Sequence, residues 1–183
     1  MREKTPGTTQ LEHGVFVVIF GLGVLIRGRA GIGKSSLALE LIDRGHRLVS
    51  DDVVQIDVKS ATTPSNETSL TCSAPAMLQN LLAVRDIGIL DISTLYPPDA
   101  IVAEHSLDFI ILLDAEAIPS TIKVRPSYDQ SRILDHKFPS QKIFAHESRN
   151  LALIVETVIK NYILYKNGQD AGQTLITRQQ QYL

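Results

Sequence analysis

Residues Gly28-Arg29-Ala30-Gly31-Ile32-Gly33-Lys34-Ser35 fill every fixed position of the pattern G-x-x-x-x-G-K-[ST]. No other stretch constrains the fold as much, because this loop works only between a buried strand and the first turn of a helix. Both neighbours are present. Val24-Leu25-Ile26 supplies the apolar run before the loop, and Leu37, Ala38, Leu41 and Ile42 recur at helical spacing after it until Gly45 stops the pattern. The glycines let the backbone turn tightly and aim N–H groups at one point, and the helix beginning near Lys34 adds the positive end of its dipole. The result is a nest for phosphate oxygens. In it Lys34 would neutralise the outer phosphates and the Ser35 hydroxyl would ligate the magnesium bound with them.

The rest of the chain reads as an α/β domain around that loop. The run Gly14 to Phe20 is a strand, turned by Gly21-Leu22-Gly23 into the strand that feeds the loop, so the two form a hairpin. Strands follow at Arg47 to Ser50, ending in Asp51-Asp52, and at Val53 to Val58. Lys59 to Ser69 reads as a surface loop, and Ala76 to Leu82 as a short helix after Pro75. Further strands are expected at Ile87 to Asp91 and Phe109 to Leu113, with Tyr96-Pro97-Pro98-Asp99 breaking regular structure between them. Pro119 to Arg149 predicts one or two strands and much loop. Leu151, Ile154, Val155, Val158 and Tyr162 then mark a helix ended by Gly168, and a polar helix spans about Ala171 to Gln181.

Length and composition suit one globular unit: a loose leader over 1–12 and a single domain over 13–183, with 44% apolar and 21% charged residues. With 18 basic and 20 acidic side chains the chain has no electrostatic footprint for nucleic acid. The lone Cys72 rules out an internal disulfide framework and reads as a small half-buried residue. The expected setting is the cytoplasm, without membrane attachment.

A phosphate loop needs a carboxylate at a neighbouring strand end, and Asp51-Asp52 stands there. Adjacent residues of a strand point to opposite faces, so both can serve only if the backbone bends. From the residues alone His13 reads more readily as a strand-capping or surface histidine, Arg85 and Arg149 are undistinguished, and Asp91 is a ligand or a turn residue.

Together, His13-Gly14-Val15, the segment Gly21 to Ser35, Ala38-Leu39-Glu40-Leu41-Ile42 and Arg44 to Asp52 resemble the catalytic domain of bacterial HPr kinase/phosphorylase, and the resemblance resumes at Arg85 to Asp91 and at Arg149 to Ala152. It implies a mixed central sheet with C-terminal helices, of the phosphate-loop type related to phosphoenolpyruvate carboxykinase, in a short form comprising the catalytic domain alone. It implies a hexamer that uses ATP, with Mg2+, or pyrophosphate to phosphorylate a serine of HPr, and that reverses this by phosphorolysis. By position, Gly28, Arg29, Ala30, Gly31, Ile32, Gly33, Lys34 and Ser35 would bind the donor, Ser35 and Asp52 the metal, and Asp51, His13, Arg85 and Arg149 would act in catalysis. The chain departs from the family pattern at Ala83, where a metal-ligating glutamate is expected, at Asp86 in place of glycine, and at Val102 in place of arginine. Those departures motivate an alternative: a nucleotide-binding regulatory protein with degenerate transfer chemistry.

Overall fold

The computed structural model describes residues 9–59, 69–116, 124, 127–146 and 148–182. Twelve strands and four α-helices follow in order: β1 (Thr9–His13), β2 (Val15–Ile19), β3 (Leu22–Arg27), α1 (Lys34–Asp43), β4 (Arg47–Ser50), β5 (Val53–Lys59), β6 (Ser69–Ser73), β7 (Leu81–Val84), β8 (Gly88–Asp91), α2 (Ile92–Leu95), β9 (Glu104–Ser106), β10 (Phe109–Asp114), β11 (Asp129–Ile133), β12 (His136–Phe144), α3 (Leu151–Lys166) and α4 (Ala171–Gln180).

Three layers result. A mixed six-stranded sheet, β11-β12-β10-β3-β2-β4, lies between the helices and a four-stranded sheet, β1-β5-β6-β9. In the central sheet β10 runs parallel to both β3 and β12, whereas β2 pairs antiparallel with β3 and β4. Covering both faces explains why its strands read as unbroken apolar runs. Val15, Val17, Ile19, Val24, Ile26, Phe109 and Ile111 pack with Leu37 and Leu41 of α1 and Val155 and Ile159 of α3. Their neighbours Phe16, Val18, Leu25 and Ile110 pack with Val54, Ile56, Leu70 and Cys72 of the second sheet. Each of these buried side chains contributes about 1.5–3 kcal/mol of transfer free energy.

Most expected elements are present. The β2–β3 hairpin closes through Phe20 and Gly21, both at positive φ (50° and 84°), as a two-residue hairpin turn favours. Between Pro119 and Arg149 the described residues hold two strands, β11 and β12. Three readings need correction, and the open reading of Asp91 is settled. The leader expected over 1–12 is strand from Thr9 onward, because β1 finds its partner in β5, where Thr9 faces Asp57 and His13 faces Val53. Residues 1–8 lie outside the described residues, as do 60–68 of the expected surface loop and, farther on, Pro119 and Pro126. The helix expected over Ala76 to Leu82 is a single 3-10 turn at Ala76–Leu78, and Leu81 and Leu82 belong to β7. Cys72 is fully buried between the sheets. Asp91 caps α2, its carboxylate accepting the Ser93 N–H at 3.0 Å.

The chain crosses between the two sheets at neighbouring points. It leaves the smaller sheet at His13, passes Gly14 and enters the central sheet at Val15; it returns from β4 to β5 through Asp51-Asp52. The Gly14 N–H donates to the Asp52 carbonyl at 3.1 Å and ties the crossings together. Gly14 has no room for a side chain, since a Cβ there would stand 2.7 Å from the Ile26 carbonyl oxygen.

Candidate active site at the phosphate loop

The loop leaves β3 at Gly28 and enters α1 at Lys34, with Gly31 and Gly33 at φ 77° and 98°. These are left-handed conformations that any other residue adopts at a cost. Lys34 is 7% exposed. Its ammonium folds back over the loop, donating to the carbonyls of Gly28 (2.9 Å) and Arg29 (3.2 Å) and meeting His13 Nε2 at 3.3 Å. An ammonium only donates, so Nε2 accepts and Nδ1 carries the ring proton, which points to Asp52 Oδ1 at 3.2 Å. Asp52, His13 and Lys34 therefore form a chain along the rim.

The Asp51-Asp52 problem is solved by a bend. Asp52 sits at φ 65° in a tight turn closed by the Val53 N–H on the Asp51 carbonyl at 2.8 Å, and both carboxylates line one cavity. Asp51 is buried at its floor. The Ser35 hydroxyl donates to it at 2.9 Å and the Ala83 backbone N–H at 2.9 Å. Burial pushes its carboxyl above the usual range, and these neutral donors only partly offset that.

Arg85, Asp86 and Ile87 form the turn of the β7–β8 hairpin, with Asp86 at φ 69° and the Ile87 N–H donating to the Val84 carbonyl at 3.2 Å. The hairpin swings Arg85 against the loop. A Cβ on Gly31 would stand 2.8 Å from Arg85 Nη2, so the glycine is what lets the guanidinium lie there. His13, Ala30, Gly31, Gly33, Lys34, Ser35, Asp51, Asp52 and Arg85 thus share one cavity of about 360 Å3, with Ala83 and Asp86 in its wall. Sequence reasoning noted Ala83 as a lost ligand but missed that its backbone holds Asp51.

Arg149 lies elsewhere. It precedes Asn150, the N-cap of α3, and donates to the Phe144 carbonyl at 3.1 Å. With Arg29, Ile32 and His146 it lines a second cavity, of about 400 Å3, on the other flank of the loop. Gly31, Gly33 and Ser36 line both cavities. Gly28 lies under the loop, where a Cβ would meet the Leu113 carbonyl oxygen at 2.9 Å.

Another polar cluster was not foreseen. At the far end of α1, buried Glu156 of α3 takes Arg44 in a two-pronged pair (2.9 and 2.6 Å) and His46 at 3.0 Å. The Arg44 guanidinium pulls the Glu156 carboxyl down to about 2. Phe20 packs edge-on against His46, with the Lys160 ammonium 4.7 Å from the Phe20 ring centre.

The model for the HPr serine kinase C-terminal domain matches residues 6–179. Two curated relatives named HPr kinase/phosphorylase are 37% identical over 167 residues (from an Exiguobacterium species) and 36% over 179 residues (from Geobacillus thermodenitrificans). These matches take in 91% and 96% of this chain but 52% and 55% of the relatives, so the chain spans about half their length. The solved structure of the Hpr(Ser) kinase/phosphatase from Coxiella burnetii superposes with a TM-score of 0.76 at 38% identity, covering 87% of this chain and 93% of that one. By sequence and by fold, this chain belongs to the HPr serine kinase C-terminal domain family.

Proposed function

We propose that this chain is a magnesium-dependent kinase that transfers the terminal phosphoryl group of ATP to a serine of HPr or an HPr-like carrier, with pyrophosphate as a second donor and phosphorolysis as the reverse reaction. The observation that carries the reading is Asp51: a buried carboxylate with a raised pKa, hydrogen-bonded only by neutral donors, on the floor of a phosphate-loop cavity. Such a group is a stronger base than an exposed aspartate. It would take the serine proton as the hydroxyl oxygen bonds to phosphorus and the bond to the leaving diphosphate breaks. In reverse, it returns a proton to the serine oxygen as inorganic phosphate attacks phosphoserine and leaves as pyrophosphate. Lys34 would exchange its loop carbonyls for phosphate oxygens, and Arg85 would meet the charge that spreads over the transferred group. His13 would hold Asp52 and Lys34 in line.

The donor set fits magnesium, which commonly takes one or two carboxylates and completes its shell with phosphate oxygens and water. Ser35 and Asp52 would hold it, and its positive charge would offset that of the bound phosphates. Arg149 would reach the donor from the second cavity. The reading also places the domain in the phosphoenolpyruvate carboxykinase-like type, which the antiparallel β2–β3 hairpin ahead of the loop supports. A cytoplasmic hexamer completes it, testable by light scattering of the purified protein.

One observation favours a second reading, a nucleotide-binding regulator without transfer. Ala83 brings a methyl group to the cavity wall where the family pattern has a metal-ligating glutamate. Transfer of labelled phosphate from Mg-ATP to purified HPr decides between them. Phosphoserine formed by wild type and lost in Asp51→Asn supports the kinase. ATP binding without transfer, with activity gained in Ala83→Glu, supports the regulator.

A further inference from the structure

We infer that Asp86, in the turn of the β7–β8 hairpin, helps to hold the magnesium ion of this site, accepting hydrogen bonds from the ion's bound water. It does from the turn what the methyl group of Ala83 cannot. The inference rests on the magnesium-dependent reading above and adds a residue to it.

The turn itself does not account for this side chain. Asp86 stands at φ 69°, a conformation that glycine adopts freely and other residues at a cost. An aspartate in a turn often offsets that cost by accepting a nearby backbone N–H. Here the Ile87 N–H goes instead to the Val84 carbonyl at 3.2 Å. Among the described residues the Asp86 carboxylate accepts no hydrogen bond and joins no ion pair. Even the neighbouring Arg85 leaves it alone, because that guanidinium lies against Gly31.

The cavity does account for it. β7 and β8 pair Val84 with Gly88, so the chain folds over at residues 85–87 and returns Asp86 to the wall that holds Ala83. Ser35, Asp51 and Asp52 line the same space. The hairpin brings two charged side chains there, Arg85 and Asp86, and only Asp86 is anionic. Magnesium keeps several of its waters when it binds through one or two carboxylates and phosphate oxygens. Asp86 is exposed and free to accept from those waters. Among the described residues no three His, Cys, Asp or Glu side chains are grouped as ligands of one ion, so its contact runs through water and is not direct. Without a cation, Asp86 stands beside two further carboxylates and gains nothing from them.

Calorimetric titration with ATP, once with excess Mg2+ and once with a chelator, gives a ratio of affinities that reports on the metal. Asp86→Asn keeps the size of the side chain and its tolerance of a left-handed backbone. It is expected to lower the ratio about tenfold or more, the effect typical of a group that orients a metal's ligands, and to leave the affinity for metal-free ATP unchanged or raised. Asp99→Asn removes an exposed charge outside the cavity and is expected to move the ratio less than about twofold. Adding Ala83→Glu to Asp86→Asn returns a carboxylate to the same wall and is expected to bring the ratio back to within about threefold of wild type. An unchanged ratio in Asp86→Asn, an equal loss with and without metal, or no recovery in the double variant overturns the proposal. Wild type that binds ATP no better with Mg2+ than without removes the magnesium-dependent reading and this inference with it. Metal-dependent binding without transfer to HPr removes the kinase reading alone and leaves the assignment of Asp86 standing.

Discussion

The two ends of α1 each hold a buried carboxylate, and the two are displaced in opposite directions. At the C-terminal end Glu156 faces a guanidinium and an imidazole, and its carboxyl falls to about 2. At the N-terminal end Asp51 faces a hydroxyl and a peptide N–H, and its carboxyl rises. The Lys34 ammonium, which lines the same cavity, is bonded to loop carbonyls and His13 instead. Burial alone therefore does not decide a carboxylate's role. A cationic partner makes it a clamp between α1 and α3, and its absence leaves a carboxylate whose burial costs stability and which the proposed function employs as a base.

The largest expected effect comes from removing the base. Asp51→Asn should lower phosphoryl transfer to HPr about 10³-fold, roughly 4 kcal/mol of barrier, while leaving the fold intact. Because burial raises the Asp51 carboxyl, the folded state holds that proton more tightly than the unfolded chain. Its cost is absent below the ordinary carboxylate range and appears as pH rises through it. Asp51→Asn should thus melt higher than wild type at pH 7, with the gap closing toward about pH 4. A melting point that falls at pH 7 would break the comparison.

Glu156→Gln should have the opposite balance. We expect a stability loss of about 3 kcal/mol, the low end for one partner of a buried pair, because the Arg44 side chain is 40% exposed and can be hydrated. In wild type this contribution is present above the unfolded glutamate range and fades as pH falls toward about 2. Urea titrations at pH 7 and pH 3 measure it, and the substitution penalty should shrink at the lower pH.

Gly31→Ala perturbs the active end without touching a charge. The left-handed φ and the 2.8 Å approach of Arg85 Nη2 should together weaken Mg-ATP binding about tenfold, roughly 1.4 kcal/mol, read by calorimetry. The smallest effect is expected at the other end. Lys160→Ala removes the cation over Phe20 and should cost under about 1 kcal/mol in a urea titration.

How much of this was legible depended on the range of the interactions involved. The phosphate loop, β3 and α1 were readable because glycine spacing and apolar periodicity are local signals. β4 was readable for the same reason, and the pairing of Asp51 with Asp52 was seen without the bend that makes it useful. The strand β1 was missed because Thr9–His13 alternates exposed and half-buried side chains at a sheet edge, with its one apolar residue, Leu11, exposed, and only β5 makes it a strand. The β7–β8 hairpin was misread in part because its turn places Asp86, a non-glycine residue, at positive φ. Tertiary pairing there overrode local helix preference. The Glu156 clamp left no trace, since its partners stand 110 and 112 residues away.

Cys72 carries a practical consequence. It is the chain's one cysteine, it has no exposed surface between the two sheets, and its thiol is pushed up to about 12. At neutral pH an alkylating reagent can reach it only when the four-stranded sheet parts from the central one. The rate of modification is therefore a clock for that opening, native to the molecule and free of any engineered label.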